Sequence, residues 1–385
     1  MLPRILAEKL VTWAHQYPVV TVTGPRQSGK STLCKALFAH KPYISLEDLS
    51  VRQQAIEDPR GFLDRFTEGA ILDEIQRAPD LPSYIQAIVD AKDLPGMFIL
   101  TGSRQFELME RVSQSLAGRT AIARLLPFSY REVYGNGKAP ALDTMLYTGF
   151  YPRIHDKNLN PTEAMSFYVS TYVDRDIRQM LNIKDLARFE TFLKLLAGRS
   201  GQLLNASALA NDCGLSHNTV SSWISVLEQS AIVYLLRPFH GNLGKRLLKS
   251  PKIYFLDTGL LCYLLNIFEP GQLSGHPLRG QIFESFVIAD LLKSRFNRGE
   301  PDVMLFYRDQ KGNEVDVVAE TGDGKILIEI KSSATFHDTY VRGLDYLANV
   351  LPDSTHKALV LGSADEPYRY KEVAVRGYSS LDTLI

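Results

Sequence analysis

The sequence predicts an α/β protein that opens on a doubly wound parallel sheet, continues through a helical region and closes on a second α/β region. Three observations carry this. Residues 1 to about 135 alternate short apolar runs with longer helical patterns. From 142 to about 239 the apolar spacing becomes almost wholly helical, and beyond a basic connector at 240–252 short alternating strands return. The expected domains are 1–138, 139–240 and 241–385, with the first boundary in the breaker-rich run GNGKAP at 135–140. At 385 residues the chain is long for a single core, in keeping with several domains.

Composition excludes more than it assigns. Apolar content of 45% and charged content of 22% describe an ordinary globular chain without a disordered tract. The 43 basic and 43 acidic residues cancel, so any nucleic-acid or membrane contact has to come from a local patch. Cys34, Cys213 and Cys262 are scattered, without the pairing of a disulfide framework or a zinc site, and a reducing cytoplasm is the expected location. The amino terminus carries charges where a signal peptide would be apolar, and the apolar stretch 253–268 is broken by Asp257. No membrane segment is expected.

In the first region, strands are expected at Val19–Thr23, Tyr43–Ser45, Ala70–Asp73, 98–101 and 121–125, with helices at 30–39 and 81–91. Between the first strand and the first helix stands GPRQSGKST: Gly24, Pro25, Arg26, Gln27, Ser28, Gly29, Lys30, Ser31 and Thr32. This is the full phosphate-binding-loop spacing in the place its mechanism needs. Glycines let backbone N–H groups close around phosphates, the helix terminus adds a positive dipole end, Lys30 reaches the β and γ oxygens, and the Ser31 hydroxyl is set for magnesium. The expected cofactors are therefore ATP and magnesium. Downstream, the apolar run AILDE ends in Asp73, expected in the magnesium shell, and Glu74, expected to orient or deprotonate the attacking water. Thr101, Ser103 and Arg104 follow another strand, where a γ-phosphate sensor would stand. Arg119 is either an arginine finger for a neighbouring subunit or half of a structural salt bridge.

These motifs, GPRQSGKST, ILDEIQRAPDL at 71–81, ILTGSRQ at 99–105, SLAGR at 115–119, LLPFSYREV at 125–133 and TYVDRDI at 171–177, run in order along the chain. The chain resembles the bacterial and archaeal AAA-type ATPases, near the signal-transduction ATPase branch, that carry a carboxy-terminal domain of unknown function. Gly149-Phe150-Tyr151-Pro152 departs from the Gly-Gly-Phe-Pro-like turn of such proteins.

In the middle region, a helix, a turn at Cys213-Gly214-Leu215, a second helix at 217–229 capped by Ser216, and a strand from Ile232 read as a helix-turn-helix of the winged type. A DNA reader would offer His217, Asn218, Ser221 and Ser222 to a groove, with Lys245, Arg246, Lys249 and Lys252 for phosphates. The second helix has no Arg or Lys of its own, which favours a structural or regulatory role.

In the last region, a helix at 280–293 carries Glu284, and strands at 313–318 and 326–331 carry Asp316, Glu329 and Lys331. Period-two alternation sets Glu329 and Lys331 on one face while Ile328 and Ile330 enter the core. Asp316 and Glu329 would bind magnesium, Glu284 would complete the shell, and Lys331 would stabilise charge or position water, as in a metal-dependent phosphodiesterase. The arrangement resembles the restriction-endonuclease-like fold, with Glu-x-Lys following an acidic residue. The leading expectation is an ATPase coupled to a nuclease-like domain acting on DNA. The alternatives are an ATP-gated interaction switch on an inactive nuclease-like scaffold, or a winged-helix DNA-binding regulator. Expected partners are DNA and either further copies of the chain or another protein.

Overall fold

The computed structural model describes residues 2–103, 114–135, 137–171, 185–239, 250–322, 324–351, 355–363 and 366–385. Arg104, Gln105, Lys245, Arg246, Lys249 and residues 172–177 lie outside them. The chain divides into two units. One holds the residues up to Phe128 with Gln229–Ala231 and Phe296–Glu300; the other holds Ser129–Glu228, Ile232–Arg295 and Pro301–Ile385.

Period-two burial builds the first unit. Along β1 (Val19–Thr23) every residue is buried, and neighbouring side chains enter opposite cores. Val19 packs with Ala70, Leu72, Phe98 and Leu100, whereas Val20 and Val22 pack with Ile71 and Ile99. A strand buried on both faces belongs inside a parallel sheet covered by helices. Among the described residues this sheet has five strands, all parallel, in the order β2 (Tyr43–Ser45), β3 (Ala70–Asp73), β4 (Phe98–Gly102), β1, β5 (Thr120–Arg124). Leu6, Leu10, Leu33 and Cys34 cover one face; Phe62, Leu81, Ile85 and Val89 cover the other. The order has a consequence for chemistry. Strand β4 lies between β1 and β3, so its carboxyl end separates the phosphate loop from Asp73 and Glu74.

In the second unit the helix Ala206–Cys213 stops at Gly214, whose φ of 63° is the left-handed cap glycine tolerates. Ser216 then opens the helix His217–Gln229, its Oγ accepting the Thr219 N–H at 3.1 Å. That helix buries Val220, Trp223, Ile224 and Leu227, the three-and-four spacing of one helical face, and leaves His217, Asn218 and Ser222 exposed. Trp223 sets its indole edge-on against Phe189 and Phe192, with ring centroids 5.2 and 5.1 Å away. Strand β7 (Val233–Pro238) follows and pairs antiparallel with β8 (Lys252–Phe255), which pairs with β6 (Gln202–Leu203).

These strands do not stand alone. Among the described residues, one nine-stranded sheet runs β13 (Tyr368–Tyr370), β14 (Val373–Gly377), β12 (Thr355–Leu361), β11 (Gly324–Lys331), β10 (Glu314–Thr321), β9 (Met304–Arg308), β7, β8, β6. The Gly149-Phe150 turn is fastened to the same unit by Asp257. That carboxylate caps the helix Thr258–Leu264 through the Leu260 N–H at 2.9 Å and accepts the Phe150 N–H at 2.7 Å. A Cβ on Gly149 would come within 2.6 Å of it, so the glycine is set by close approach.

Trp223→Ala should cost about 3–5 kcal/mol, because a large aromatic side chain leaves a packed cluster. Urea unfolding of the second unit checks this; a loss below about 1 kcal/mol would show that the Phe189–Phe192–Trp223 cluster does not hold the helix-turn-helix.

Candidate functional site

The phosphate loop is shaped by approach and by backbone sign. Gly24 has φ 147°, and a Cβ there would lie 2.1 Å from the Leu125 carbonyl oxygen. Gly29 has φ 92° and opens the helix Lys30–Leu37 in the left-handed region. Lys30 is buried, and its ammonium donates to the carbonyls of Gly24 at 2.9 Å and Pro25 at 2.8 Å. Burial pulls its pKa down against the opposing charges of Glu74 and Asp73. Ser28 is fully buried with an unpartnered hydroxyl, and Gln27 and Thr32 are exposed.

Asp73 gathers hydroxyls from three elements. Ser31 donates to Oδ1 at 2.8 Å, Thr101 donates to the same oxygen, and Tyr43 donates to Oδ2 at 2.5 Å. The Tyr43 phenol is pushed up by its burial and by this carboxylate. The carboxylate and the Ser31 hydroxyl point at each other beside the loop, a hard-oxygen donor set that fits magnesium. Glu74 sits one residue on with φ 56° and ψ 46°, left-handed backbone in a residue without glycine's freedom. Its Oε2 accepts from Ser103 at 2.8 Å and from Gln76. Thus the structure brings Lys30, Ser31, Asp73, Glu74, Thr101 and Ser103 together at one sheet edge. Arg119 points elsewhere, forked onto Asp90 with Nη2 to Oδ2 at 2.9 Å and Nη1 to the Ala117 carbonyl at 3.0 Å. Arg26 lies 3.5 Å from Glu47, and so does Arg77, which the sequence reading did not single out.

A second cluster forms in the other unit. The β10 ladder with β9 slips between Val315 and Val318, and Asp316, within the slip, is buried. Its Oδ2 accepts the Ile330 N–H at 2.9 Å. Two of the expected carboxylates, Glu284 and Asp316, meet with Glu314, which the sequence reading did not single out, around a cation absent from the expected set, while Glu329 pairs with Lys331. Lys252 Nζ lies 2.6 Å from Glu314, 3.1 Å from Glu284 and 3.3 Å from Asp316. A DNA reader would have offered Lys252 to phosphate; it is instead the buried first residue of β8. Burial alone would lower its pKa, but the anions around it, Glu284 foremost, raise it well above its ordinary value. Tyr254 donates to Glu284 at 2.6 Å. Lys331 donates to Glu329 at 2.5 Å, while Glu329 Oε2 is buried without a partner. Burial, then Asp316, pushes Glu329 up to about 8 against the pull of Lys331.

Three carboxylates here surround an ammonium. Among the described residues no group of three or more His, Cys, Asp or Glu is arranged for a metal. The donor set as it stands does not fit magnesium.

Lys252→Met should cost about 3–5 kcal/mol, since it leaves buried carboxylates facing one another uncompensated. The sign with pH follows from Glu329, which keeps its proton up to about 8 in the fold against an ordinary 4.5, so stability falls as pH rises through that window. Loss of the ammonium steepens that fall, so the melting-temperature deficit should be larger at about pH 8 than at about pH 5. An equal deficit at both would show that charge compensation is not what Lys252 supplies.

Residues 16–134 match a family described as an AAA domain, residues 139–271 a domain of unknown function (DUF8612), and residues 279–380 another (DUF4143). An uncharacterised protein of Mycobacterium tuberculosis is 30% identical over 334 residues, covering 86% of this chain and 74% of its own length; one of Mycobacterium bovis gives the same figures. Among solved structures, a Walker-type ATPase of Pyrococcus abyssi is 14% identical with a TM-score of 0.38, covering 67% of this chain and 94% of that one. No helix among the described residues is long and apolar enough to cross a membrane.

Proposed function

We infer the function from one premise: the chain belongs to the same family as the two mycobacterial proteins, and residues 16–134 make it an AAA-type P-loop ATPase. On this reading it binds ATP with magnesium, hydrolyses it, and uses the nucleotide state as a switch on its second unit. The observation that carries it is the convergence of Lys30, Ser31, Asp73 and Glu74 at the carboxyl ends of parallel strands.

The loop's own residues do most of the work. Lys30 exchanges the Gly24 and Pro25 carbonyls for β- and γ-phosphate oxygens, a charge-assisted replacement. Ser31 and Asp73 would hold magnesium, which when bound neutralises charge on the β and γ oxygens. Glu74, held by Ser103 and Gln76, turns to the water that attacks the γ-phosphate and takes its proton, as the bond from the γ-phosphorus to the bridging oxygen breaks and ADP leaves. Thr101, through Asp73, and Ser103, through Glu74, report the phosphate state to β4.

The output belongs to the second unit. We read its helix-turn-helix with β7 and β8 as a winged helix, and Glu284, Asp316, Glu329 and Lys331 as the residues of a restriction-endonuclease-like site. Lys252 among the acids favours an ATP-gated interaction switch that binds DNA or a protein without cutting. The buried, unpartnered Oε2 of Glu329 is what favours cleavage.

Phosphate release tests the ATPase. Lys30→Ala should lose nucleotide binding, and Glu74→Gln should keep binding while turnover falls by about a hundredfold or more. Turnover of Glu74→Gln at the wild-type rate would remove Glu74 from the mechanism. For the output, single-stranded, duplex and branched DNA should stay intact with magnesium or manganese, while ATP and ADP give different assemblies or DNA retention. Cleavage lost in Glu329→Ala would replace the switch with a nuclease.

A further inference from the structure

Arg26, Glu47 and Arg77 come from three loops at one edge of the five-stranded sheet: the phosphate loop after β1, the segment after β2, and the turn Ile75–Arg77 after Glu74. They meet on a single carboxylate oxygen. Glu47 Oε1 stands 3.5 Å from each guanidinium, with half of the Glu47 side chain exposed. Three features connect this group with the phosphate loop. The carboxyl ends of parallel strands are where ligands sit in such sheets. The positive charge of Arg26 is felt at Lys30, where it adds to the lowering by burial. Arg77 follows Glu74 by three residues, and its Nε is buried without a hydrogen-bond partner, so it has a donor to spare.

We propose that Arg77 reads the terminal phosphate of ATP, with Arg26 beside it, and that Glu47 stands in for that phosphate until the nucleotide arrives. This rests on the ATP reading of the loop. The chemistry is an exchange of anions. A guanidinium is a planar fork suited to phosphate oxygens, and its charge-assisted bonds to a triphosphate are strong. The bond to be given up is weak, because a half-exposed pair at this distance is screened by water. ADP lacks the terminal group and leaves Glu47 in place. Arg119, engaged by Asp90, is not available for this task in the same chain.

Fluorescent ATP and ADP analogues titrated into the full chain with magnesium separate the possibilities. Arg77→Ala should weaken ATP by about tenfold or more while ADP changes less than about twofold. Glu47→Gln should tighten ATP, and that gain should vanish in the Glu47→Gln, Arg77→Ala double variant. Arg77→Lys keeps the charge without the fork and should fall between wild type and alanine; with Glu47→Gln it preserves the test if Arg77→Ala does not fold. Equal effects on ATP and ADP, no effect on either, or a Glu47→Gln gain that persists without Arg77 would overturn the proposal. Lys30→Ala serves as the reference: if it loses both nucleotides while Arg77→Ala matches wild type, the ATP site stands and the Arg77 reading falls. If wild type binds neither nucleotide, both fall together.

Discussion

Three hydroxyls on one carboxylate hold the working end of the first unit. Ser31 ties Asp73 to the phosphate loop, Thr101 ties it to β4, and Tyr43 ties it to β2. Because β4 lies between β1 and β3, the loop and the acidic pair belong to strands that do not touch, and side chains have to bridge the gap. Each bond is individually modest, about 1–3 kcal/mol when the acceptor is charged. Their joint effect is to fix one oxygen geometry from three directions, so the site has its form before a ligand enters. Glu74 inherits that geometry. Its left-handed backbone is a cost of about 1–3 kcal/mol that persists only where surrounding structure determines it, and Ser103 and Gln76 provide that restraint.

The legible parts of the chain are those written locally. Glycine spacing, a strand before it and a helix after it define the phosphate loop within nine residues, Gly24 to Thr32. The Ser216 cap and the spacing of Val220, Trp223 and Leu227 define the helix that follows the turn. Alternation along 326–331 found the core face of β11, although the strand begins two residues earlier, at Gly324. Tyr43 was hidden because a tyrosine on a three-residue strand reads as packing, and its hydroxyl contact lies 30 residues away. Lys252 was hidden for a stronger reason. It looks like the last of a basic run, yet its partners lie 32 and 64 residues on, and nothing near it in the chain announces an acidic pocket. Glu47 and Arg77 belong with it: charges, one exposed and one half-buried, whose meaning comes only from what folding brings beside them.

The two units handle buried charge differently. In the first, the Lys30 ammonium donates to two carbonyl oxygens, with the charges of Asp73 and Glu74 felt but not bonded, and a phosphate can replace those carbonyls. In the second, Lys252 is paired with full negative charges in the interior, where removing either side is costly. The first arrangement suits exchange with a ligand. The second suits permanence.

The nine-stranded sheet sets a condition on how the second unit can be divided. Strand β7 comes before the helix Arg279–Asn297 and β9 after it, yet the two lie side by side, Arg237 against Leu305 and Pro238 against Phe306. The regions 139–271 and 279–380, each recognisable on its own, therefore share a hydrogen-bonded seam. A fragment ending between them would expose the bare rim of β7, an open template for a second molecule to extend. What looks like two modules along the chain is one inseparable body, and shuffling them between proteins would have to carry the seam intact.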